Sequence, residues 1–124
     1  MKLTTDHIEA LVAAVLAVNN YRLEKVWAQL PGLQAAGLTD PEWVAAADLG
    51  EVVVRLTASG HDRGMLAGLI ADRLQTMMQA VVAGTLDPLP DALKRGDRDA
   101  AVGILCTAKG IGPKVADNAL MLMK

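Results

Sequence analysis

Phenylalanine is absent from this sequence, and one tyrosine and two tryptophans are its whole aromatic complement. A core without aromatics must be filled by aliphatic side chains. Ala, Leu and Val dominate here, with few β-branched runs bounded by turn residues, which predicts helices throughout. Cysteine occurs once, as Cys106. That excludes an internal disulfide and any cysteine-only metal cluster, and Cys106 itself is expected to be a buried thiol on a helix face. An excess of positive charge is also lacking: 12 Lys and Arg stand against 14 Asp and Glu, a net charge of −2. No bulk basic field therefore announces nucleic acid. No apolar run is long enough to cross a bilayer. Asp6 and Glu9 precede the first short apolar run, with no small-residue cleavage site after it, which does not read as a signal peptide. A cytoplasmic protein with no membrane partner is the expectation.

What remains is a chain of 124 residues, 52% apolar, with a mean hydropathy of +0.30. That suffices for one core and not for two. The fold class predicted is all-α, a single compact helical domain of about six to seven helices. Thr5 and Asp6 suit a first helix start, and Ile8, Leu11, Val12, Val15 and Leu16 then fall on one face. Asn19-Asn20-Tyr21 ends that helix. A second is predicted over 22–30, halted by Pro31-Gly32. Asp40-Pro41-Glu42 combines a cap, a proline at the first helical position and an acid in the first turn. Residues 49–58 form the next helix, closed by Ser59-Gly60, with His61 a solvated loop residue. A long helix over 63–82 carries Leu66, Leu69, Ile70, Leu74, Met77, Met78 and Val81 inward. Residues 85–90 read as a bent linker, and Asp91 opens a short helical turn.

Charge is not evenly spread. Residues 1–90 hold six Lys and Arg against ten Asp and Glu, whereas 91–124 hold six against four. The positive end coincides with the most distinctive stretch, Lys109-Gly110-Ile111-Gly112-Pro113-Lys114-Val115-Ala116-Asp117. Helices are predicted over 97–108 and 113–123. Between them two glycines flank one apolar residue, and Pro113 sits where a new helix would begin. Glycine admits the positive φ and close approach that a tight hairpin between helices demands. Ile111 would plug between the helices, leaving backbone N–H groups near Gly110 and Gly112 directed outward. Such a nest at a helix N-terminus suits one phosphate.

This run, taken from Leu105 to Asp117, resembles the helix-hairpin-helix of the HhH-GPD base-excision DNA glycosylases, notably the oxidised-guanine glycosylase and endonuclease III groups. The resemblance covers roughly residues 8–124 and corresponds to the six-helix barrel domain alone, with the hairpin at 97–123; the relatives' extra N-terminal and C-terminal helices have no counterpart. It implies DNA as partner, gripped through Lys109, Gly110, Ile111, Gly112 and Lys114. It implies no cofactor and no metal apart from a monovalent cation on the 109–112 backbone. The relatives fill the gap left by a flipped base with a polar residue from the loop after the first barrel helix, a position held here by Asn19 and Asn20. An Asn pair also simply suits a helix end.

Lys114 stands where the family carries its catalytic lysine, whose amine attacks the sugar C1′ and forms a Schiff base. The alternative is a lysine that only contacts phosphate. The sequence departs from the family in two places. Gly64-Met65 replaces a basic residue, and the essential aspartate that follows the second hairpin helix would fall past Lys124. Asp117 is the only substitute in the chain, though local pairing is the commoner role for such a residue. Three readings follow: a DNA glycosylase or abasic-site lyase acting through Lys114, a catalytically inactive DNA-binding module, or a protein-interaction domain. The apolar Met121-Leu122-Met123 end predicts a homodimer or a complementary chain covering it.

Overall fold

The computed structural model describes residues 3–18, 22–109 and 111–123. Among them the chain forms eight α-helices and no strand. These are α1 (Thr5–Leu16), α2 (Leu23–Ala35), α3 (Pro41–Ala46), α4 (Leu49–Ala58), α5 (Ala67–Val82), α6 (Leu89–Lys94), α7 (Arg98–Cys106) and α8 (Pro113–Leu122). A 3₁₀ turn, Gly64–Leu66, runs into α5. The count exceeds the expected six or seven because α3 and α6 are separate helices of six residues each. No helix is long and apolar enough to cross a membrane.

Helix α1 is the axis of the domain. Every residue from Glu9 to Leu16 is buried, because α2, α5 and α8 all pack against it. Its cap falls at Thr4, one residue before the expected start: Thr4 Oγ1 accepts from the His7 N–H at 3.2 Å, and the Thr4 N–H donates to His7 Nδ1 at 3.1 Å. Gln34 Nε2 of α2 donates to the Glu9 carboxylate, so the buried acid of this helix has a partner.

Helix C-termini leave carbonyls without intrahelical donors, and here long side chains from other elements supply them. Arg55 of α4 donates from Nη1 to Ala36 O at 2.7 Å, while its guanidinium lies 4.0 Å above the Trp43 ring. Gln75 of α5 reaches Val44 O and Ala47 O at 3.1 and 2.7 Å, closing α3. These bonds tie helix ends to neighbouring helices across the fold.

Several expectations are corrected. Helix α2 does not stop at Pro31-Gly32 but continues through both to Ala35. Tertiary packing outweighs the proline: Leu33 is fully buried, and bare Gly32 lets α2 approach α4, where a Cβ would lie 3.3 Å from Ser59 O. The stop comes at Gly37, whose φ of +79° allows the Gly37 N–H to bond Gln34 O and the Leu38 N–H to bond Leu33 O, both at 3.0 Å. This paired closure is the Schellman motif, and Leu38 packs beside Leu33 in the core. Leu66 and Leu69 are not inside but exposed. Leu66 closes the 3₁₀ turn just before α5, and Leu69 lies one step, about 100°, round from the stripe of Ile70 and Leu74. The stretch read as a linker over 85–90 contributes to the core, since Leu86 and Leu89 are fully buried, and α6 already begins at Leu89. Cys106 is exposed, not buried: Ala101 and Leu105 form the inward stripe of α7, with Ala108 buried just past its end, and Cys106 sits one step round from it.

Candidate nucleic-acid interface

Helices α7 and α8 pack against each other and are joined by a sharp turn. Asp97 starts α7, its carboxylate accepting from the Ala100 N–H at 3.1 Å. The helix unwinds through 3.1 Å bonds from Thr107 N–H to Ile104 O and from Ala108 N–H to Leu105 O. Ile111 then folds back, donating its N–H to Ala108 O at 3.1 Å. Its side chain is 5% exposed and belongs to the core with Leu105, Val115 and Ala116. Gly112 begins α8 and Pro113 takes its first turn. Since Gly112 has no side chain, α8 starts without a side-chain cap.

Two details differ from the sequence reading. The Ile111 N–H is spent inside the turn and does not face outward. Gly112 has φ −95° and ψ −179°, an extended conformation open to any residue, and a Cβ there would meet nothing within 4 Å. What glycine contributes at 112 is a bare surface, not a special angle. Gly110, Asn19 and Asn20 lie outside the described residues.

Among the described residues of this turn, Thr107, Lys109, Gly112, Pro113 and Lys114 are exposed. The Lys114 amine stands on open surface. A cavity of about 330 Å³ between α6, α7 and the far end of α8 is lined by Leu93, Arg98, Ala101, Leu120 and Met123, without Lys114. A second, of about 280 Å³, lies near Ile8, Glu42, Val81 and Asp87. Asp117 is also exposed, and its carboxylate accepts from Arg98 Nη2 at 2.8 Å. The ion pair links the first residue of α7 to the middle of α8. At the end of α8 Met121 is exposed, whereas Leu122 and Met123 are half-buried. No cluster of three or more His, Cys, Asp or Glu side chains able to hold a metal occurs among the described residues.

The approach to Asn19 is pinned by a residue that sequence reasoning passed over. Arg63 donates from Nη1 to Leu16 O at 3.1 Å and from Nη2 to Val18 O at 3.0 Å, closing α1 where it leads into residue 19. Two residues earlier His61, expected in solvent, is 1% exposed. Gly60, at φ +95°, turns α4 so that the His61 N–H bonds Leu56 O at 3.0 Å. The residue after such a glycine is carried back onto the helix it ends. Gln29 Nε2 donates to Gly60 O at 3.0 Å, leaving its Oε1 to accept from His61 Nδ1 at 3.0 Å. The imidazole therefore carries its hydrogen on Nδ1. Burial, then the charges of Arg63 and Lys25, lower its pKa from 6.5 to about 4. The visible signal was Ser59-Gly60 itself: a helix stop with glycine implies a buried successor.

No protein-family model, characterised protein or solved structure matches this chain.

Proposed function

We propose that this chain binds the DNA sugar–phosphate backbone through the α7–α8 turn, as a non-catalytic relative of the helix-hairpin-helix glycosylases. The observation that carries the proposal is the form of the turn. Ile111 anchors it in the core, so that Lys109, Gly112, Pro113 and Lys114 stand out together with two ammonium groups and a bare helix start. A phosphate is stabilised by nearby cations and by the positive end of a helix. Binding is favoured over cleavage because Lys114 is exposed and lines neither cavity described, and the Asp117 carboxylate, one turn along α8, is engaged by Arg98. Self-association through the end of α8 is a separate proposal, supported by the exposure of Met121; light scattering that finds a monomer at all concentrations refutes it.

Anisotropy of a fluorescein-labelled duplex tests the binding. Two to three phosphate contacts predict a log–log salt slope of about −2 to −3, and Lys109→Ala and Lys114→Ala each lower affinity and flatten the slope. No binding at low salt refutes the proposal. Borohydride trapping of an adduct on abasic duplex, lost in Lys114→Ala, would instead establish the lyase reading.

A further inference from the structure

We infer that the Arg98–Asp117 ion pair is a charge brake on the α7–α8 turn: Asp117 weakens the grip on phosphate, and Arg98 determines by how much. The inference rests on the DNA-binding reading of that turn and concerns how tightly it holds. Asp117 lies three residues after Lys114 on α8, so their side chains are helix neighbours with Cβ atoms about 5–6 Å apart. An anion approaching Lys114 therefore meets a carboxylate one turn along. Arg98 partly neutralises it across the hairpin, at 2.8 Å.

The pair is poorly explained as a stabilising device. The Arg98 and Asp117 side chains are 52% and 58% exposed, and ion pairs in such settings contribute little. Arg98 is moreover the first residue of α7, where the helix dipole disfavours a cation. Helix formation gives no reason for arginine at that position, whereas a carboxylate on the neighbouring helix does. Being exposed, the pair can also open. A phosphate can compete with Asp117 for the Arg98 guanidinium, which is shaped to bind either group in bidentate fashion.

The test is duplex anisotropy at low salt with Asp117→Asn, Arg98→Gln, the double variant, and Asp72→Asn, an identical charge change at an exposed site on α5. Removing one solvent-exposed charge about 8 Å from a phosphate, at an effective dielectric of about 40 to 80, changes affinity roughly two- to sixfold. D117N is expected to tighten binding by that factor, R98Q to weaken it by a similar one, the double variant to return near wild type, and D72N to change little. Thermal melts should agree across the set, because the pair is exposed. If the wild type binds and K109A weakens it, yet D117N is neutral or weaker, the brake is overturned while the binding reading stands. If D72N tightens binding as much as D117N, only net charge matters and the brake is likewise overturned. If the wild type binds no duplex at all, both fall.

Discussion

His61 makes a quantitative claim about stability. Its folded-state pKa of about 4 lies below the ordinary 6.5, so the unfolded chain takes up the proton first as pH falls. The contribution of the neutral, buried imidazole is complete above about pH 6.5. It is lost progressively between 6.5 and 4, and nothing further is lost below that range. Each unit of difference corresponds to about 1.4 kcal/mol, so this one side chain should cost roughly 3 kcal/mol of stability across the window. Urea unfolding from about pH 7 to about pH 4.5 measures it. Carboxylates also titrate at the acid end, so the informative quantity is the difference between wild type and His61→Leu. The variant forfeits the Nδ1–H bond to Gln29 and starts about 1 kcal/mol less stable. It should nevertheless lose stability less steeply on acidification. An imidazole resonance for His61 that titrates near 6.5, or parallel pH profiles for wild type and H61L, would refute the buried, neutral assignment.

Other outcomes follow from the packing. Ile111→Ala removes the plug of the hairpin and should cost about 2–4 kcal/mol in chemical denaturation; duplex affinity should fall with it even where the chain remains folded. Pro31→Ala restores a backbone donor inside α2 and should raise the melting temperature, with a gain of about 1 kcal/mol or more. Gly37→Ala forces a side chain into a left-handed position with Arg55 Nη1 3.5 Å from the new Cβ, and should lower stability by about 1–2 kcal/mol by the same assay.

Much of the local structure was legible because its causes are local. Helix α3 begins where Asp40-Pro41-Glu42 says it must, with Asp40 Oδ1 accepting from the Glu42 N–H at 3.2 Å. Helix α4 occupies the residues its apolar spacing and Ser59-Gly60 stop delimit. The break before Pro113 follows from proline's fixed φ and its missing donor. A shortage of aromatics and strand-like runs was enough to make the fold all-helical. Each of these features depends on atoms a few residues apart, and here no distant contact opposes them.

Only the folded chain decided the rest. Pro31 is a stop signal in isolation, and only the burial of Leu33 and the approach of α4 to Gly32 carry the helix past it. Cys106 and Leu105 are equally plausible core residues in sequence, and the direction from which α8 packs selects one. Arg63, His61 and Gln29 read as ordinary surface polar residues until the segment after α4 folds against the end of α1 and the middle of α2. Asp117 looked like a distant substitute for a catalytic acid, but Arg98, 19 residues away, engages its carboxylate. In every such case the deciding partner is far along the chain, so local pattern carries no record of it. The sequence determined which segments are helices and which stretch is cationic; three-dimensional packing determined which side chains those helices enclose and which they leave to meet a ligand.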